Sequence, residues 1–138
     1  MLWLELAILL AIPFVAILVF VGLRKMPRRL KVRKYVGDWK ELQLFCKDRA
    51  TWPKALEDAD KLLDQALRRR KYKGRSMGER LVSAQRKLTD NDSIWTAHNL
   101  TKKITENPAL RLRESAVKSA LIAYRQALKD LGALPDGR

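Results

Sequence analysis

The stretch LAILLAIPFVAILVFVGL, Leu6 to Leu23, runs for eighteen residues without a charge. As an α-helix it rises about 27 Å, close to the hydrocarbon thickness of a bilayer. A core helix of a small domain is seldom apolar on every face at this length, because one face must meet water. A cleaved leader calls for positive charge before the apolar run and small residues at a cleavage site after it. Here Glu5 precedes, a cluster of cations follows, and no Ala-x-Ala pattern stands between Leu23 and Arg33. The stretch therefore reads as one uncleaved membrane span. Trp3 suits the interface at its outer end, and Pro13 is tolerated in a span where its freed carbonyl finds another partner.

The charge of the chain agrees. Of a net +14, half lies in RKMPRRLKVRK, where Arg24, Lys25, Arg28, Arg29, Lys31, Arg33 and Lys34 stand without an acid. A cationic collar beside a span is retained on the cytoplasmic side. It places the N-terminus outside, the rest of the chain inside, and a row of cations against anionic lipid. The single cysteine, Cys46, forms no disulfide within the chain, as suits a reducing compartment. His98 is the only histidine. A triad or a His-rich metal centre would have to be built around it alone, and zinc sites of the Cys-rich kind are excluded. No cofactor is expected.

Everything after the collar has helical period, and no strand is expected. In YVGDWKELQLFCKD the apolar positions Val36, Trp39, Leu42 and Cys46 recur at three- and four-residue steps, with Asp38 as candidate cap. TWPKALEDADKLLDQALRRRKYKG starts at Thr51, carries Pro53 in its first turn and stops at Gly74. Its stripe is Leu56, Ala59, Leu63, Ala66 and Leu67, with acids early and bases late, as the helix dipole favours. SMGERLVSAQRKL opens on the capping-box pair Ser76 and Glu79 and buries Met77, Leu81, Ala84 and Leu88. SIWTAHNLTKKITE lines up Ile94 or Trp95, Ala97, Leu100 and Ile104, then breaks at Asn107-Pro108. RESAVKSALIAYRQALKDLG buries Val117, Ala120, Leu121, Tyr124, Leu128 and Leu131 and ends on Gly132. The expectation is an all-α chain: an anchor over 1–23, a basic juxtamembrane linker over 24–35, an antiparallel bundle of about five helices over 36–134, and a tail over 135–138.

From Trp52 onward the runs TWPKALEDADKLLDQAL, KGRSMGERL, IWTAHNLTKKI and AYRQALKDLGAL resemble a bacterial family of small HEPN-like proteins, many with an N-terminal span. The resemblance covers nearly the whole of the chain after the collar. It implies a HEPN-type bundle that pairs as a homodimer across its motif helices. It also implies a place for a ribonuclease motif, in which Arg, often followed by a polar residue, precedes His by four to six intervening residues. Thr101 falls where the Arg would be, Lys102 at the polar place and Glu106 where the His would be. Thr brings no cation to a phosphate, and Glu brings negative charge beside one. Glu can act as a base but lacks the proton-donating imidazolium. What the resemblance implies is thus the scaffold without its reactive pair.

Other features have plainer readings. His98, one turn before Lys102, reads as a packed or solvent-tipped imidazole rather than a metal or nucleic-acid contact. The cluster of Arg68, Arg69, Arg70, Lys71, Lys73 and Arg75 reads as an anion or nucleic-acid patch, with Tyr72 available for stacking, or as a charge run that complements the helix C-terminus and anionic lipid, or as a plain solvated face. Trp39, Trp52 and Trp95 read as core anchors. The expected protein is a single-pass membrane protein with a cytoplasmic, catalytically inactive HEPN-like bundle working through protein or nucleic-acid contacts. RNA binding is the less favoured partner reading beside the lipid bilayer. The alternative is a membrane-tethered ribonuclease with an altered site.

Overall fold

A computed structural model describes residues 1–26 and 28–136 of the chain; Pro27 of the collar and Gly137 and Arg138 of the tail lie outside the described residues. Six α-helices follow one another, α1 Leu2–Lys25, α2 Val32–Gln43, α3 Trp52–Arg69, α4 Met77–Ser83, α5 Asn91–Glu106 and α6 Glu114–Asp130. Two short 3₁₀ turns, Leu44–Cys46 and Arg49–Thr51, join α2 to α3. No strand occurs among the described residues. The chain is all-helical, as its periodicity dictates.

The apolar run becomes α1, which begins one turn before it and ends two residues after it. With 24 residues it is about 36 Å long. None of its residues is buried, and it is long and apolar enough to cross a membrane. Pro13 sits inside it without ending it.

Of the other five helices, α3 is the hub. It packs against α2, α4, α5 and α6, while α5 and α6 lie along each other. Leu56, Ala59, Leu63, Ala66 and Leu67 of its stripe are completely buried, joined by Ala55 and Leu62. Burying each leucine contributes about 1.5–3 kcal/mol of transfer free energy, so this face outweighs any single polar contact. The stripes of α4, α5 and α6 meet it: Met77, Leu81, Ala84, Leu88, Ile94, Ala97, Ile104, Val117, Ala120, Tyr124, Leu128 and Leu131 are all buried. Leu100, Leu121 and Trp95 are only half-buried at the edge of the core.

Helix ends depart from the sequence reading in three places. Asp38 does not cap α2. The helix begins six residues earlier at Val32, inside the stretch read as linker, because Tyr35 is a buried core residue and draws the preceding turn into helix. Asp38 instead pairs with Lys34 across one turn, at 2.8 Å. Thr51 occupies the cap position of α3 but makes no cap hydrogen bond; its hydroxyl faces the Phe45 and Asp48 carbonyls at 2.6 and 3.0 Å. Asp48 supplies a side-chain cap to the 3₁₀ turn before it, accepting from the Ala50 amide. The Pro53 reading stands, with the ring in the first turn.

The third departure is at Gly74, which does not stop α3. The helix ends four residues sooner, with Arg70 as its cap and Lys71 in the left-handed region at φ 65°. The Tyr72 amide donates to the Leu67 carbonyl and the Lys71 amide to the Arg68 carbonyl. This is the Schellman arrangement, in which the residue after the cap must turn left-handed. The end of α6 repeats it with glycine: Gly132 has φ 79°, the Ala133 amide donates to Leu128, and the Gly132 amide donates to Lys129. Leu134 closes the turn as a buried side chain. Gly74 has a different purpose. A Cβ there would stand 2.7 Å from the Arg80 amide and 2.8 Å from the Glu79 Cβ, so glycine lets the loop lie against α4.

The α4 start matches its signature in part. The Glu79 amide donates to Ser76 Oγ at 3.2 Å, but the Glu79 carboxylate reaches the Arg75 amide, one residue before the expected partner. At α5 the Ser93 hydroxyl and amide both donate to Asp90, which holds that carboxyl below the usual carboxylate range.

A lysine in a left-handed conformation bears a steric cost that glycine does not, partly offset by the larger chain entropy of unfolded glycine. Lys71→Gly is expected to stabilise the bundle by about 0.5–1 kcal/mol, a rise of a few degrees in Tm for a domain of this size. Thermal unfolding of the full chain in detergent, followed by near-ultraviolet circular dichroism, measures it. Lys71→Ala should show no such gain.

Candidate functional site

Thr101, Lys102 and Glu106, the positions that the resemblance sets against a nuclease motif, do not share one face. Thr101 points inward and is 3% exposed, whereas Lys102 and Glu106 are exposed, Glu106 as the last residue of α5. The Thr101 hydroxyl lies 3.0 Å from the Ala97 carbonyl and 2.7 Å from the Tyr124 hydroxyl of α6. Tyr124 donates to Asp60 Oδ1 of α3 at 2.8 Å. The same oxygen faces His98 Nδ1 at 2.9 Å, so Nδ1 carries the proton that points at the carboxylate. One half-buried carboxylate thus ties α3, α5 and α6 together.

Proton counting orders this chain. Tyr124 has one hydroxyl proton and gives it to the acceptor-only carboxylate, so Thr101 must supply the proton between itself and Tyr124. Burial, with the Asp60 charge beside it, pushes the Tyr124 phenol far above its ordinary range and keeps it a donor. His98 is 8% exposed, with its ring meeting Trp95 edge-on at a centroid distance of 6.1 Å. The packed imidazole expected at His98 is what the fold contains. Among the described residues no serine, cysteine or threonine other than the engaged Thr101 is hydrogen-bonded into this group. The arrangement orients side chains and joins three helices.

A second buried polar joint fixes α4. Arg80, 5% exposed, donates through Nε to Asp64 of α3 at 2.7 Å and through a terminal nitrogen to the Gly74 carbonyl at 2.8 Å. Arg68 shares Asp64 at 3.0 Å. Sequence reasoning counted Asp60 only among the early acids of α3 that suit the helix dipole, and did not single out Arg80. The signal was present in the spacing. Asp60 lies four residues after Leu56 and three before Leu63, and Arg80 three after Met77 and four before Ala84, so each charge stands on a core-facing row.

The two basic clusters, separated by more than thirty residues, are brought to one end of the bundle. The reason is the pairing of α2 with α3. Lys34 at the start of α2 reaches Gln65 near the end of α3, at 3.3 Å. At the other end Trp52 donates its indole proton to the Cys46 carbonyl, at 2.9 Å. The helices are therefore antiparallel, and the collar, which runs into α2, meets the basic end of α3.

A concavity of about 360 Å³ results, lined by Arg28, Lys31, Lys34, Arg68, Arg69 and Lys71 with Tyr35 and Gln65. Arg29 enters a neighbouring concavity with Arg70, Lys87, Lys129 and Asp130. Arg24 and Lys25 end α1; neither they nor Arg33, Lys73 and Arg75 line these two surfaces. Tyr72 packs half-buried against the core as the apolar closure of the α3 turn. Trp39 and Trp52 are core residues as expected. Cys46 is half-buried, and burial raises its thiol pKa. Among the described residues no group of three or more His, Cys, Asp or Glu side chains is placed to hold a metal ion.

Removing the phenol hydroxyl tests the central network. Tyr124→Phe is expected to cost about 1–2 kcal/mol, because Asp60 loses a donor in a buried setting. Thr101→Val alone should cost about 1 kcal/mol. The pair together should cost less than the two added, since each single change already breaks the shared bond. Melting curves of the four proteins in detergent give the coupling directly.

Comparison of the chain with protein-family models, with curated proteins and with solved structures gives no match.

Proposed function

We propose that α1 anchors this chain in the cytoplasmic membrane with its N-terminus outside. The helical body is then a cytoplasmic HEPN-like module without nuclease activity, which works by contact rather than catalysis. The observation that carries the second half is the use made of Thr101. The motif's arginine must face outward to meet RNA, yet the side chain at this position is spent inside the bundle on Tyr124. Glu106, five residues on, is exposed and stands where a phosphate would meet negative charge. Anchoring is supported by the wholly unburied α1 and by seven cations, two in its last turn and five after it, without an acid among them.

Purified full chain incubated with single-stranded RNA is expected to leave it intact. Thr101→Arg forces a long cation into a filled, buried site and should destabilise the bundle by roughly 3 kcal/mol or more instead of restoring cleavage. Cleavage by the parent protein that tracks with its purification would sink the contact-only reading.

Topology is tested separately. The chain should resist carbonate extraction from membranes. In a Cys46→Ser background, Leu2→Cys should react with a membrane-impermeant maleimide in intact cells. Lys102→Cys, on the exposed face of α5, should react only after permeabilisation. The reverse pattern would overturn the orientation, and release by carbonate would overturn the anchor.

A further inference from the structure

We propose that the concavity between the collar and the end of α3 is a binding site for the phosphate of an anionic membrane lipid, one headgroup per chain. The proposal rests on the anchoring reading above. Its residues are Arg28, Lys31, Lys34, Arg68, Arg69 and Lys71, six cations with no acid among the lining side chains. Two are partly neutralised, Lys34 by Asp38 and Arg68 by Asp64. Among the described residues Arg28, Lys31, Arg69 and Lys71 make no ion pair, which leaves four uncompensated charges around one opening. Like charges held together cost free energy unless an anion completes them. Tyr35 lines the same concavity, its phenol raised by burial against the opposing pull of Lys34 and Arg69, and so remains a proton donor there.

Lys71 carries the argument furthest. The Schellman turn at the end of α3 calls for glycine, as the matching turn of α6 has at Gly132. A lysine kept at φ 65° weakens the fold and contributes a cation to the concavity. Strain retained at one residue of a charged opening fits a binding role better than a structural one. Position selects the lipid. Arg28 comes three residues after Lys25, the last residue of α1, so a helix that ends at the bilayer surface brings the opening to headgroup level. Nucleic acid is the weaker occupant, because Tyr35, the ring that lines the opening, is buried and Tyr72 beside it is half-buried against the core.

The test is native mass spectrometry of the full chain in detergent, offered equal amounts of phosphatidylglycerol and phosphatidylcholine. The wild type is expected to retain one phosphatidylglycerol in preference. The double variant Arg69→Gln, Lys71→Gly should retain it at least about tenfold more weakly, while melting no lower than the wild type. Lys73→Gln, Arg75→Gln, outside the concavity, should bind as the wild type does. Equal retention of both lipids, or an Arg69→Gln, Lys71→Gly variant that binds normally, would overturn the site. Displacement of the lipid by millimolar inorganic phosphate would assign the opening to a free phosphate. Displacement by a single-stranded oligonucleotide would assign it to nucleic acid. Either overturns the lipid assignment. A chain that stays in carbonate-washed membranes but shows no lipid preference loses this site alone, whereas one released by carbonate loses the anchor first.

Discussion

The carboxylate of Asp60 is the constraint around which the helical body is arranged. One oxygen accepts from Tyr124 and faces the Nδ1 proton of His98, so three helices must meet within hydrogen-bond reach of a single atom. A carboxylate so placed is costly to desolvate unless its donors arrive together. That condition rules out sliding α5 or α6 along α3 by a turn, which apolar side chains alone would tolerate more readily. The leucines of α3 supply most of the stabilisation, and Asp60 selects the register. Asp64 does the same for α4 through Arg80, and Asp130 pins the linker before α5 by accepting from the amide and hydroxyl of Thr89. Acids facing inward fix the helices, while most of the bases are left at the surface.

That division explains how a chain of net +14 folds at all. On α3 the acids come early and the bases late, in line with the helix dipole. The antiparallel pairing with α2 then sets the basic end beside the collar instead of opposite it. Two positive clusters thus accumulate at one pole of the body, the pole nearest α1. Repulsion there is tolerable if an anionic surface lies against it and wasteful otherwise, so the fold and the apolar helix argue for the same setting.

Much of this was legible in the residues. The apolar stripes named the core of α3, α4 and α6 almost without loss, because the helical period leaves little choice about which face is buried. Gly132 announced its turn, and Ser76 with Glu79 announced the start of α4. Asp38 and Gly74 misled for a shared reason. Each is a strong local signal, and each was outvoted by a tertiary demand: Tyr35 required burial one turn before Asp38, and Tyr72 packs half-buried against the core two residues before Gly74. Capping preferences are worth about 1 kcal/mol and a buried aromatic ring more than that. The partners of Asp60 were hidden for a different reason. Spacing shows that a charge faces inward, but not which donor from another helix will meet it.

The fate of Thr101 follows from the same logic. A hydroxyl on the buried face of α5 can be satisfied locally, by the Ala97 carbonyl one turn back, or distantly, by Tyr124, and here it lies within reach of both. An arginine in its place would have to leave the core, and α5 would have to rotate to let it. Such a rotation would draw His98 away from Asp60 and move Ile94 and Ala97 off α3. The side chain at this position belongs to the set of contacts that holds α5 in the orientation it has, so an outward-facing arginine here would require the bundle to repack around a different centre.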